Sequence, residues 1–251
     1  MAALLDWLSA PQTIFFLGVT LTVFMALQIS AAVMVYAERK VSAFMQQRYG
    51  PYLVGPKGML QPVADIVKLI FKEELKPKAA DTLLFAAAPV ISAIAAIAAF
   101  APVPFGAATT FFGLLPEPMP LMVADINVAV LVIFAITSMG VYGIVLAGWS
   151  SNSKYSLLGG LRSSAQMISY ELAYGIALAT IVMLAGSLSL REIVDAQQGY
   201  WFGFIPKWYA FINPISFLIF TIAGIAETNR APFDFPEAEQ ELVAGLSLIH
   251  I

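Results

Sequence analysis

Five long apolar runs, separated by short polar segments, organise the chain. They extend over about Thr13 to Tyr36, Leu83 to Ala101, Ile126 to Gly148, Ser163 to Gly186 and Tyr209 to Ala226. Each is long enough to carry a helix across roughly 30 Å of hydrocarbon, which takes about 20 residues at 1.5 Å per residue. Trp7, Tyr36, Trp149, Trp208 and Tyr209 lie at the ends of these runs, at the headgroup level that amphipathic rings prefer. The pattern predicts an all-α, polytopic membrane bundle of about five transmembrane helices. Between the first two runs, "GMLQPVADIVKLIFKEEL" repeats its apolar residues Val63, Ile66, Val67, Ile70 and Phe71 at helical spacing, with Asp65, Lys68, Lys72 and Glu73 on the other face. That is the pattern of an interfacial amphipathic helix, and equally of a helix packed on neighbouring spans.

Composition agrees with this assignment and narrows the chemistry. Of 251 residues, 60% are hydrophobic and 12% charged, with a mean hydropathy of +0.82, whereas soluble domains carry about a quarter charged residues. A net charge of -3 gives no electrostatic footprint for nucleic acid. The absence of cysteine excludes disulfides, thiolate metal sites and cysteine-bound iron-sulfur clusters, and His250, the one histidine, is the penultimate residue. The chain is expected to hold no redox metal of its own, so electrons would arrive from another subunit. The first 30 residues lack a basic n-region, which leads us to expect that the first helix stays in the mature protein. Gly159 and Gly160 in "YSLLGGLRSSAQ" lack the spacing of a phosphate loop and suggest a helix entry instead.

The cations set an orientation. Arg39, Lys40, Arg48, Lys57, Lys68, Lys72, Lys76, Lys78, Lys154, Arg162 and Arg230 fall on one side of the predicted bundle, and only Arg191 and Lys207 on the other. Positively charged loops stay on the cytoplasmic side, so the N-terminus is expected outside.

Against this apolar background a few charges stand out. Glu171, in "SSAQMISYELAYG", lies about ten residues into a span that begins near Leu161. A carboxylate there costs about 2.5 to 3.5 kcal/mol on insertion scales, and such residues commonly line proton or ion pathways. The alternative is a protonated carboxyl paired with a neighbouring hydroxyl. Glu38, Arg39 and Lys40 close the first run, where charges often do no more than anchor a helix end. The stretch "AETNRAPFDFPEAEQELVAG" gathers Glu227, Asp234, Glu237, Glu239 and Glu241 around Arg230, five of the chain's 16 acids. Pro232 and Pro236 stiffen it, and Phe233, Phe235 and Leu242 interleave with the acids, which a solvated loop would not require. Carboxylates packed against apolar groups and one another hold protons more tightly, so such a cluster can load and release them.

Four stretches, "AERK", "QQRYGPYLVGPKGMLQPVADIVKLIFKE", "GWSSNSKYSLLGGLRSSAQMISYE" and "AETNRAPFDFPEAEQELVAG", make the sequence resemble the H subunit of the proton-pumping NADH:quinone oxidoreductase, respiratory complex I, whose mitochondrial counterpart is subunit 1. The resemblance runs from about residue 37 to 245. It implies a subunit that joins the electron-transfer arm to the membrane arm and builds much of the tunnel for ubiquinone or menaquinone. On that basis Glu38, Arg39, Arg48 and Asp65 would line the tunnel or its mouth. Glu171, Glu227, Asp234, Glu237, Glu239 and Glu241 would form the carboxylate route from quinone chemistry to proton movement, with Arg230 as charge partner. It further implies no cofactor bound by this chain, quinone as substrate, FMN and iron-sulfur clusters in partner subunits, contacts with the hydrophilic-arm quinone-site subunits, small membrane subunits and lipid, and a bacterial plasma (inner) membrane location.

Relatives of this kind continue for further spans after "ELVAG", whereas this chain ends "LSLIHI". Residues 1–245 are therefore expected to be the N-terminal portion of such a subunit, and 246–251 a non-native tail that reads as a translated sequencing adapter. Two other readings remain: the equivalent subunit of a membrane-bound hydrogenase or of a formate- or F420H2-fed complex, and a stand-alone proton transporter. The inverted repeats expected of a transporter are not evident. The orientation is testable with single cysteines. Those placed at Ala108 and Gln198 should react with an impermeant thiol reagent added outside, and one at Ser153 should not; the reverse sidedness would refute the topology.

Overall fold

A computed structural model of the chain describes residues 11–73, 76–110, 118–201, 203–228 and 233. The chain divides into two compact units, Met1–Glu74 and Leu75–Ile251.

The first unit is built on α1, Pro11–Met45, 35 residues long. At 1.5 Å per residue it measures about 50 Å, well beyond the hydrocarbon thickness. Glu38, Arg39 and Lys40 therefore lie within a continuing helix and do not end it, as the hydropathy pattern alone suggests. The helix stops before Gln47, whose φ of 53° is left-handed. A 3-10 turn at Pro56–Gly58 follows. Gly58, at φ 81°, has no room for a side chain, since a Cβ would collide with the carbonyl group of Pro51. The turn delivers α2, Gln61–Ile70, with Pro62 in its first turn, where the missing N–H costs nothing. None of its residues is buried, and Val63, Ile66, Val67, Leu69 and Ile70 stay exposed, which agrees with an interfacial position.

The second unit holds α3 (Thr82–Ala98), α4 (Ala129–Ser150), α5 (Lys154–Ala185), α6 (Leu190–Ala196), α7 (Tyr209–Ile212) and α8 (Pro214–Glu227). Asp81 caps α3 by accepting from the N–H groups of Leu83 and Leu84. Gly186, at φ 71°, ends α5 in the left-handed conformation. Among the described residues there are also two antiparallel two-stranded hairpins, β1 (Gly106–Thr109) with β2 (Met119–Leu121) and β3 (Tyr200–Trp201) with β4 (Ile205–Pro206), which hydropathy does not signal.

Among the described residues three helices, α1, α4 and α5, are long and apolar enough to cross a membrane; α3 and α8 are shorter apolar helices. The last predicted run is cut because Asn213 leaves helical geometry at φ -129°, ψ 76°, before Pro214, a residue that disfavours the helical region for its predecessor. At the other extreme, α5 begins nine residues before the predicted Ser163. Its first turns, "KYSLLGGLR", are too polar to register as a span yet fully helical, so Gly159 and Gly160 lie within the helix and not at its entry.

Small residues decide how these helices meet. α4 packs against α3 and α5, and α5 against α8. The buried positions are mostly Ala, Gly and Ser, while Leu131, Leu172, Ile176, Met183 and Ile215 face outward. Lipid is as apolar as leucine, so helices in a bilayer associate by close van der Waals approach and not by hiding large side chains. A Cβ on Gly148 would stand 2.9 Å from the carbonyl oxygen of Ser156 and 3.4 Å from Cα of Gly160; one on Gly143 would stand 2.8 Å from the carbonyl oxygen of Ala88. Gly140, on the same helix, has open space. Gly148→Ala should therefore force backbones apart and destabilise the full-length protein by about 1–3 kcal/mol, with a matching fall in assembled complex. Gly140→Ala should be neutral. Equal thermal stability and assembly of the two variants would show that the close crossing is unimportant.

Candidate functional site

In the second unit, the antiparallel hairpin of α4 and α5 brings two polar side chains together inside otherwise apolar helices. Glu171 lies near the middle of α5 and is half-buried. The hydroxyl of Ser138 on α4 lies 3.1 Å and 3.3 Å from its two carboxyl oxygens, and 2.8 Å from the carbonyl oxygen of Phe134. A cavity of about 330 Å³ adjoins them, with Thr137, Tyr170, Tyr174, Gln197 and Glu227 among its lining residues. Tyr174 stacks on Phe220 of α8 at 4.2 Å between ring centroids and meets Phe134 of α4 edge-on at 5.9 Å. One aromatic ring therefore joins three helices around the cavity.

The second carboxylate arrives at the end of α8. Ser216 fixes that helix to α5 by donating to the carbonyl oxygen of Ala177 at 2.7 Å, with the Thr180 hydroxyl also 2.7 Å away. This anchorage sets the last residue of α8, Glu227, on the same cavity wall as Glu171. No cation lines the cavity among the described residues. Two carboxyls, two phenols and the Thr137 hydroxyl around an apolar space, with Ser138 bonded to one of the carboxyls, are groups of the kind that accept and donate protons. They are poorly suited to a metal, and no group of three or more His, Cys, Asp or Glu side chains that could hold one occurs among the described residues.

The acidic stretch is tied to this hairpin at one described point. Gln166 of α5 donates to the carbonyl oxygen of Phe233 at 2.9 Å. Arg230, Asp234, Glu237, Glu239 and Glu241 lie outside the described residues.

The other predicted group belongs to the first unit. Arg39 of α1 donates to Asp65 of α2 at 2.5 Å, and Gln61 donates to the other carboxylate oxygen at 3.1 Å. The hydrogen bond from Gln61, followed by that from Arg39, holds the Asp65 carboxyl below its ordinary value. A further clasp comes from Tyr36, whose hydroxyl donates to the carbonyl oxygen of Lys57 at 2.9 Å, while the ammonium of Lys40 lies 5.8 Å from the centroid of its ring. Arg48, beyond the end of α1, donates to Gln46 at 2.6 Å, and Glu38 is exposed on α1. Of the four residues predicted here, Arg39 and Asp65 are brought into contact.

Sequence reading misses Ser138, Thr137, Tyr170 and Tyr174. The "TS" pair inside the third apolar run is a visible signal, but such hydroxyls usually satisfy themselves on their own helix, as Thr137 does with the carbonyl oxygens of Ile133 and Phe134. Only the pairing of α4 with α5 distinguishes Ser138.

Comparison with known proteins gives a family for this arrangement. The family model for NADH dehydrogenase matches residues 18–248. The chain is 54% identical over 220 residues to NADH-quinone oxidoreductase subunit 8 of Rhodothermus marinus, covering 88% of this chain and 60% of that protein. It is 53% identical over 215 residues to the NADH-quinone oxidoreductase H subunit 1 of Geobacter metallireducens, covering 86% and 62%. With the NADH-quinone oxidoreductase H subunit of Salinibacter ruber it shares 50% identity over 220 residues, covering 88% and 60%. The chain thus spans roughly three-fifths of the length of these relatives.

The Asp65 clasp yields a pH prediction. A carboxyl whose folded value is depressed stabilises the fold above its unfolded value, about 3.9, and loses that contribution as pH falls through the lower folded value. Amide-exchange protection of residues 61–70 should therefore hold constant from about pH 7 to pH 5 and weaken only below about pH 4. Arg39→Ala should reduce it a few-fold at neutral pH, as befits a partly exposed pair. Loss of protection between pH 7 and 5 would contradict the assignment.

Proposed function

The chain belongs to the NADH dehydrogenase family, and from that premise we propose that it is the H-type membrane component of a proton-translocating NADH:quinone oxidoreductase. In this reading it carries quinone to the junction with the hydrophilic arm and passes the effect of quinone reduction to proton movement. The observation that carries the proton-handling part is the pair Glu171 and Glu227 on one cavity, with no cation on its described wall.

Reducing a quinone consumes electrons and protons together. The electrons come from partner subunits carrying FMN and iron-sulfur clusters, since the chain has no cysteine to hold a cluster. The protons are the concern of this chain. Glu171, held at mid-helix, and Glu227, at the helix end, line the same cavity, so in this reading a charge on one acts on the other across a largely apolar space. We assign the acids that follow Glu227 in sequence, Asp234, Glu237, Glu239 and Glu241, to the same carboxylate route, with Arg230 as charge partner. Glu38, Arg39, Arg48 and Asp65 border the quinone path, and α2 lies at the membrane surface with its exposed apolar side chains in the headgroup region. The protein resides in a bacterial plasma membrane with its N-terminus outside.

Glutamine keeps the size of Glu171 but cannot ionise. In the assembled full-length complex, Glu171→Gln should cut quinone reduction and the coupled pumping by about tenfold or more, while NADH oxidation by an artificial acceptor on the hydrophilic arm stays normal. Asp should retain part of both. Glu227→Gln should depress quinone turnover in the same selective way. Full quinone turnover and pumping in both glutamine variants would leave these carboxyls with a structural role only.

A further inference from the structure

We propose that Ser138 is a positioning residue for Glu171, a hydroxyl that changes hydrogen-bond partner when the carboxyl gains or loses its proton. The proposal rests on the reading of Glu171 as a titrating group and adds the element that lets it titrate without rearranging the bundle.

The geometry that points to this is the sharing of one hydroxyl between two kinds of acceptor. Ser138 Oγ lies 2.8 Å from the carbonyl oxygen of Phe134, and 3.1 Å and 3.3 Å from the two oxygens of Glu171. A serine hydroxyl has a single hydrogen and can also accept, so these contacts cannot all be donated at once. When Glu171 is ionised, the hydrogen is directed to a carboxylate oxygen. When Glu171 is protonated, its own O–H donates to Ser138 Oγ, and the serine hydrogen turns to the carbonyl oxygen of Phe134. The proton gained by the carboxyl comes from solvent as hydronium and forms one new O–H bond. Serine neither gains nor loses a proton, but only rotates.

Neither state costs the Ser138 hydroxyl or the Phe134 carbonyl its partner. The Phe134 carbonyl accepts from the backbone N–H of Ser138 in the helix ladder, and Thr137 Oγ1 stands 3.1 Å from it. It remains satisfied when the serine hydrogen turns away. A buried polar group without a partner is costly, so a carboxyl that is bonded in both charge states is one whose charge can change locally. Among the described residues, the other titratable groups on this cavity are Tyr170 and Tyr174 on the same helix as Glu171 and Glu227 on α8; the wall residues from α4 and α6 carry no charge. Ser138 is therefore the polar group from α4 that makes direct hydrogen-bond contact with Glu171 among the described residues.

The test uses assembled full-length complex carrying Ser138→Ala, Ser138→Thr or Ser138→Val, with quinone turnover normalised to NADH oxidation by an artificial acceptor. Thr and Val have nearly the same shape and differ in the hydroxyl, so they separate hydrogen bonding from packing even if alanine assembles poorly. Ala and Val should lower quinone turnover roughly fivefold and displace its pH profile by about one unit, because a hydrogen bond to a charged group is being removed. Thr should stay close to the parent in both. Placed on Glu171→Asp, whose shorter side chain withdraws the carboxyl from the hydroxyl, Ser138→Ala should add little further loss. Equal behaviour of Thr and Val, or an undiminished effect of Ser138→Ala in the Asp background, would overturn the proposal while leaving the role of Glu171 intact. A fully active Glu171→Gln would remove that role, and the proposal with it.

Discussion

The arrangement of the second unit depends on how closely α4 and α5 approach each other. Their hairpin turns through residues 151–153, and at its base Gly148 packs against Gly160 and the Ser156 carbonyl, whose oxygen a Cβ on Gly148 would approach to 2.9 Å. That contact fixes the register of the pair. Ser138 lies ten residues back along α4 and Glu171 eleven residues on along α5, each about three helical turns from the crossing. The meeting of hydroxyl and carboxyl is thus set at a distance, by glycines that carry no chemistry. Closer in, Gly143 holds α3 against the outer flank of α4, where a Cβ would collide with Ser92 and with the Ala88 backbone. A membrane bundle cannot rely on hiding leucines for this purpose, because lipid welcomes them.

The same consideration explains which features can be read from the sequence. Glu171 is legible because it is the only charge inside a predicted span, and the amphipathic pattern of α2 is legible because its two faces differ in polarity. Hydropathy reports which residues tolerate lipid, however, and not where a helix begins. It ends the first helix at Tyr36, although hydrogen bonding carries it to Met45, and it starts α5 near Ser163, although the helix begins at Lys154. It passes over the break at Asn213 because the neighbours are largely apolar. The contact of Arg39 with Asp65 joins residues 26 apart in sequence through a turn that depends on the left-handed Gly58, and only the family resemblance places the two together. Ser138 is invisible for a related reason. A serine in a span looks the same whether it bonds its own helix or the next one.

The polar groups of the bundle divide their work by position. Hydroxyls such as Ser216 and Thr180 tie α8 to α5 through paired hydrogen bonds. Around Glu171 one hydroxyl is shared between two acceptors and a cavity adjoins the carboxyl. Glu171 and Glu227 share one cavity wall, so a charge on one would act on the other across a largely apolar space. In the proposed function this is how a charge arising on one carboxyl of the set reaches the next.

The central claim is that Glu171 changes protonation state when quinone is reduced. Infrared difference spectroscopy of the assembled full-length complex, triggered by quinone reduction, tests it most directly. The account predicts a carboxyl C=O band in the difference spectrum that disappears in Glu171→Gln and moves to higher frequency in Ser138→Ala, where the hydrogen bond to the carboxyl is lost. A difference spectrum with no carboxyl band sensitive to substitution at Glu171 would mean that this residue keeps one charge state throughout turnover, and would contradict the account.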